Sequence, residues 1–189
     1  MGILHDQWAL PKNTKILDKA KLNTTYCECF EFVWLNEDEN IKKIETEYIK
    51  DMKEAYKMNP FAGKRFEFNK SWDSIFFHIS EQRRSEESKE PYDIHEQAIF
   101  GEKDINPKAM TVTGFEFRYI DHSRLNTLIS RLKEITIKDF IKIKEDYKES
   151  SVYGKRFYTT ESCWQIFKEW QEFLYMAELR ECHIICFSH

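Results

Sequence analysis

"TTESCWQIFKEWQEFLYMAELRECHIICF", residues 159–187, carries two hydrophobic periods in succession. Cys163, Ile166, Phe167, Trp170, Leu174 and Ala177 recur every three or four residues, which lines one face of an α-helix. Thr159 or Thr160 supplies a hydroxyl to cap its start. "HIICF" then reads as a β-branched strand. A long amphipathic helix running straight into a strand points to an α+β fold. In it, a small mixed or antiparallel sheet packs against several amphipathic helices.

The rest of the chain extends this reading. "DHSRLNTLISRLKEI" is a helix with Asp121 as N-cap and Leu125, Leu128, Ile129 and Leu132 facing inward. "NEDENIKKIETEYIKDMKEAYKM" is another, with Ile41, Ile44, Tyr48, Met52 and Ala55 at helical spacing and acids in its first turn. "TIKDFIKIKEDYKES" reads as one shorter helix, while "TYCECFEFVWL" and "TVTGFEFRYI" read as strands. Pro60 and Gly63 punctuate "NPFAGKRFEFNKS". Residues 1–25 mix Pro and Asn with a short helical pattern and predict an irregular N-terminal arm. Residues 81–97 predict a mobile charged loop, because "EQRRSEESKEP" has no apolar residue whose burial would offset the entropy of ordering it. With 189 residues, the expected organisation is a single domain over 1–189.

Composition narrows the function classes. The chain is 41% hydrophobic and 33% charged, the balance of an ordinary globular protein. A net charge of −4 argues against a nucleic-acid partner, which needs clustered Lys and Arg. No apolar run approaches the roughly 20 residues of a membrane span. "MGILHDQWALPKN" lacks the basic start and apolar run of a secretory signal, so the expected location is the cytoplasm. The five cysteines include no C-x-x-C pair. Cys27 with Cys29, and Cys182 with Cys186, would meet at a metal only if both lay on neighbouring strands, so neither metal nor cofactor is expected and the thiols are expected free.

The stretch "KSWDSIFFHIS", residues 70–80, sets a Trp, an Asp and a His close together. Trp72, Ile75, Phe76 and Ile79 form one helical face, with Asn69 or Ser71 before it as cap and Asp73 in the first turn. Packing and capping account for the whole stretch; a site, if there is one, would use Asp73 or His78. Asp121 and His122 are adjacent on a helix and do not face each other, so they make a poor dyad. Cys182 and His183 alternate across a strand. "KEWQEF" and "RFEFNKSW" interleave charge and aromatics, as single-strand binders do, but amphipathic elements give the same pattern.

Several of these motifs fall in an order that resembles the YfbM-like family, small bacterial proteins grouped as a domain of unknown function. That family's K-x-W-(D/H)-x-L helix is matched by Lys70, Trp72, Asp73, Ile75 and Phe76, with His78 nearby. Its A-(I/V)-x-G segment is matched by "AIFGE", Ala98 to Glu102. Its strand-to-helix junction is matched by "RYIDHSRL", Arg118 to Leu125, where Asp121 replaces the capping Thr. Its aromatic-rich final helix and β-branched strand resemble residues 167–187, and its preceding Tyr matches Tyr153. The chain departs in "ISEQ", in the charged loop, and in an N-terminal third that matches little beyond Met-Gly-Ile. The resemblance implies an α+β domain and carries no established activity.

Two functional expectations follow. The first is a non-enzymatic protein-binding module of the inhibitor or immunity type, favoured by the acidity and by the missing catalytic motifs. The second is a small-molecule binder or enzyme with its site at the Trp72 helix, the "AIFGE" segment and the Arg118-Tyr119 junction. Its binding residues would be Lys70, Trp72, Asp73, His78, Arg118 and Tyr119.

Overall fold

The computed structural model describes residues 4–31, 38–80 and 94–189. "HIICF" lies in β5 (Cys182–Ser188), the middle strand of a five-stranded antiparallel sheet. Strand order is β2 (Arg65–Asn69), β1 (His5–Pro11), β5, β4 (Arg118–Ile120) and β3 (Lys103–Asp104). β1 and β5 pair along their whole length, from His5 opposite Ser188 to Pro11 opposite Cys182. The fold is α+β with an antiparallel sheet, as expected.

Helices cover both sheet faces, and alternation assigns each strand residue to one of them. Ala9, Ile120, Ile184 and Cys186 face α4 (Trp72–Ser80), α5 (Ile94–Phe100), α6 (His122–Lys133), α7 (Ile137–Lys142), α8 (Lys144–Glu149) and α9 (Thr160–Leu179). Leu10, Tyr119, Ile185 and Phe187 face α1 (Ile16–Leu22), α2 (Thr24–Glu28) and α3 (Glu39–Met58). The long helices start where the sequence places a cap. Asp121 accepts from Ser123 N at 2.9 Å, and Thr159 with Ser162 forms a capping box on α9.

One buried amide ties the helical layer to the sheet. Gln7 Nε2 donates to the carbonyls of Ala98 (2.7 Å) and Ile99 (2.8 Å), near the end of α5. Gln7 Oε1 accepts from Trp170 Nε1 of α9 at 2.8 Å. Gln7 and Trp170 are both fully buried.

The structure corrects several expectations. The irregular arm is β1 followed by α1. β1 turns His5 and Gln7 inward as well as Ala9, so its buried face has no apolar period to read. "TYCECFEFVWL" starts as helix, not strand: Asn23 caps α2 by accepting from Tyr26 N, and Tyr26 and Phe30 pack edge-on against Tyr48 of α3. Residues 32–37 lie outside the described residues. "RFEFN" within the punctuated segment is β2, an edge strand. The strand expected across 111–120 is confined to Arg118–Ile120, because residues 111–115 turn back on themselves with Thr111 N donating to Phe115 O. "TIKDFIKIKEDYKES" is two helices, α7 and α8, broken at Ile143. Of the charged loop, residues 81–93 lie outside the described residues, and residues 94–97 are helical because α5 buries His95, Ala98 and Ile99. All five thiols are free and buried. Cys27 and Cys29, on and just after α2, pack on one sheet face and Cys163, Cys182 and Cys186 on the other, so the two cysteine pairs do not converge.

Gln7→Ala would leave the Trp170 N–H and the Ala98 carbonyl without their partner, while the Ile99 carbonyl keeps the His5 N–H. Each buried group so orphaned costs about 1–3 kcal/mol, so a loss of about 2 kcal/mol or more is expected in urea denaturation. An unchanged midpoint would contradict the role assigned to this amide.

Candidate functional site

The α4 helix forms as its spacing dictates. Ile75 and Ile79 are fully buried, while Trp72 and Phe76 are half-buried and meet Phe100 of α5 edge-on at 5.5 and 5.7 Å. His78 lies in the core, fully buried. Its ring stacks on Phe140 (4.6 Å) and touches Tyr147 (4.4 Å). Nδ1 lies 2.8 Å from the Ser74 carbonyl, which can only accept, so Nδ1 carries the proton and Nε2 faces Thr160 Oγ1 at 3.4 Å. Burial lowers the His78 pKa, so the ring is neutral.

Asp73 binds backbone. Its Oδ2 accepts from Gly154 N at 3.1 Å, and its Oδ1 accepts from Ser74 Oγ at 3.3 Å. Gly154 lies in the 3₁₀ turn Tyr153–Arg156. A Cβ at Gly154 would come within 2.8 Å of the Lys70 carbonyl and closer still to Ser74 Oγ and Asp73 Oδ1. Lys70 Nζ sits over the rings of Tyr153 (5.7 Å) and Phe157 (5.2 Å). Lys70, Asp73 and His78 are thus engaged in fastening α4 to this turn and to the start of α9.

Arg118 and Tyr119 point to opposite sides of the sheet. Tyr119 is buried on the α1–α3 side, with Lys21 Nζ 4.8 Å from its ring centroid. Arg118 pairs with Cys186 on the other side and contacts Asp104 Oδ1 through Nε at 3.2 Å. The six expected site residues therefore do not converge. Four lie along β2–α4, and Trp72 reaches the neighbourhood of Arg118 only through Phe100, which touches the Trp72 ring and lines the same cavity as Arg118.

That cavity, of about 370 Å³, is lined by Arg118, His5, Phe100, Glu116, Cys186 and Ser188, among others. The glycine of "AIFGE" is set by close approach: Gly101 has φ +89°, and a Cβ there would lie 2.8 Å from Arg118 Cβ. His5 Nε2 lies 2.7 Å from the Ile99 carbonyl and therefore donates, leaving Nδ1 to accept from Ser188 Oγ at 3.0 Å. Complete burial pulls the His5 pKa down to about 4. Sequence reasoning missed His5 and Ser188. The alternation His5–Gln7–Ala9 was their signal, but polar residues occupy its inward face.

The cavity rim is a hairpin closed by a bridge between Met110 and Glu116. Gly114 takes φ +87° at its turn. Thr111 Oγ1 accepts from Phe115 N, Glu31 Oε2 accepts from Val112 N, and Thr113 Oγ1 donates to the Ser188 carbonyl. Those polar contacts fix the hairpin while its apolar side chains stay outside: Met110 is 51%, Val112 74% and Phe115 40% exposed. Asp121 and His122 do local work, Asp121 as a cap and His122 N donating to His183 Nδ1 at 3.1 Å. Among the described residues, no cluster of three His, Cys, Asp or Glu side chains could hold a metal ion, and no helix is long and apolar enough to cross a membrane.

A model of the family described as "Domain of unknown function (DUF1877)" matches residues 29–187. In fold, the chain is similar to a solved protein of unknown function from Escherichia coli, YfbM. The similarity has a TM-score of 0.51 at 12% identity and covers 97% of this chain and 98% of that one. No curated protein matches the chain.

Gly154→Ala is expected to push the 3₁₀ turn off Asp73 and lower stability by about 1–3 kcal/mol, read by thermal or urea unfolding. Wild-type stability would show that the turn is not packed as described. A second expectation concerns pH. His5 titrates near 4 in the folded state against 6.5 unfolded, so protonation favours unfolding; its contribution is intact above pH 6.5 and is lost as pH falls towards 4. The full loss is about 3 kcal/mol. His5→Gln lacks this titration, so the stability gap between wild type and variant should narrow from pH 7 to pH 4. A constant gap would mean that His5 is not buried neutral.

Proposed function

We propose, from the premise that this chain belongs to the DUF1877 family of domains of unknown function, that it is a non-enzymatic protein-binding module of the inhibitor or immunity type, acting in the bacterial cytoplasm. The observation that carries this reading is the 110–116 hairpin. Three apolar side chains, Met110, Val112 and Phe115, stand exposed on a short segment held in place by its own polar contacts. Burying a side chain of this kind is worth about 1.5–3 kcal/mol, and a hairpin already fixed loses little entropy on docking. The cavity beneath offers room for one inserted partner side chain, with Arg118 and Glu116 at its wall to orient polar groups. The net charge of −4 steers association with a basic partner surface.

The small-molecule reading centred on the Trp72 helix and the Arg118-Tyr119 junction has less support. Asp73 and His78 are engaged by backbone and core groups, and Tyr119 faces the other side of the sheet.

The test is the double variant Val112→Asp, Phe115→Asp. Both positions are exposed, so stability should stay within about 0.5 kcal/mol for each change. Wild-type protein used as bait in its native host should retain a partner in stoichiometric amount, and the variant should lose it, with Kd raised at least tenfold for the purified pair. Equal retention by both baits would overturn the proposal.

A further inference from the structure

We propose that a second cavity, at the foot of α9, binds a phosphorylated small molecule. It has a volume of about 460 Å³ and lies where α8, the Tyr153–Arg156 turn and the first turn of α9 meet. Small-ligand pockets span roughly 300–1,000 Å³, so the size suits a compact metabolite. Four cations line it, Lys144, Lys148, Lys155 and Arg156, against one acid, Glu161. The chain as a whole carries −4, so this concentration of positive charge on one concavity runs against its overall balance.

The four cations are not equivalent. Lys144 is paired with Glu161 at 2.6 Å and Lys148 with Glu145 at 2.7 Å. No carboxylate among the described residues pairs with Lys155 or Arg156. Lys155 Nζ donates instead to the backbone carbonyls of Lys148 (3.0 Å) and Ser150, so the fold fixes an ammonium at the wall without neutralising it. The Arg156 guanidinium lies over the Tyr153 ring, 5.8 Å from its centroid. A fixed ammonium beside a guanidinium suits a phosphoryl group, which accepts several charge-assisted hydrogen bonds at once. The positive end of the 20-residue α9 opens on the same space and adds to the field. Tyr147 and Tyr158 supply a partly apolar wall against which the body of the ligand would lie.

This cavity shares no lining residue with the Arg118 cavity, so its test bears on it alone. Full-length protein is titrated calorimetrically with inorganic phosphate, pyrophosphate, ADP and adenosine, and the thermal shift with each is recorded. Pyrophosphate and ADP should bind saturably and weaken as salt rises, while adenosine should not bind. Lys155→Gln and Arg156→Gln should each weaken ADP binding at least tenfold. Arg156→Gln should keep the wild-type unfolding temperature, since Arg156 is exposed, which separates loss of binding from loss of fold. Absence of saturable binding by every phosphoryl probe, adenosine binding as tight as ADP, or binding indifferent to both substitutions would overturn the proposal.

Discussion

The side-chain amide of Gln7 is the point on which the helical layer turns. It uses both N–H groups and its oxygen, donating to the last turn of α5 and accepting from the indole of α9. A buried amide is costly unless it is satisfied, so its geometry admits few alternatives. β1 must pair with β5 in the register that turns Gln7 inward, and α5 must end where its carbonyls can be met. His5, two residues earlier on the same face, repeats the arrangement by donating to the Ile99 carbonyl. The sheet thereby completes the C-terminal end of a seven-residue helix too short to be stable alone.

The same logic explains why the chemically suggestive stretch 70–80 is structural. Asp73 satisfies the Gly154 amide, His78 satisfies the Ser74 carbonyl, and Lys70 covers two rings. Each group that could serve as acid, base or ligand already has a partner supplied by the fold. Burial also keeps His78 neutral, the form in which one ring nitrogen donates and the other accepts. Among the described residues, the groups that the fold leaves without such partners are of other kinds: apolar side chains exposed on a braced hairpin, and two cations without a carboxylate at the foot of α9.

Much of the fold was legible in the sequence because the relevant signals are local. The helical spacing of Leu125, Leu128, Ile129 and Leu132, the caps at Asp121 and Thr159, and the β-branched run in β5 each act within one or two turns of chain, and each stands where it was expected. The family likeness was legible for the same reason, since its motifs sit on these elements in order.

Other features depended on partners far away in the chain. β1 looked irregular because its inward residues, His5 and Gln7, are polar, and what makes them core residues is the Ile99 carbonyl some ninety positions later. "TYCEC" alternates like a strand, yet the Asn23 cap and the rings of α3 hold it as a helix. Arg118 and Tyr119 are neighbours in sequence, but the pleat of the sheet sends them to opposite faces, and neither cavity can be read from spacing alone. The sequence by itself determined the class of the fold and most of its helices, because periodicity and capping act over a few residues. The tertiary structure alone decided which polar groups satisfy one another and which remain available to a partner, because hydrogen bonds and burial join residues that no local pattern relates.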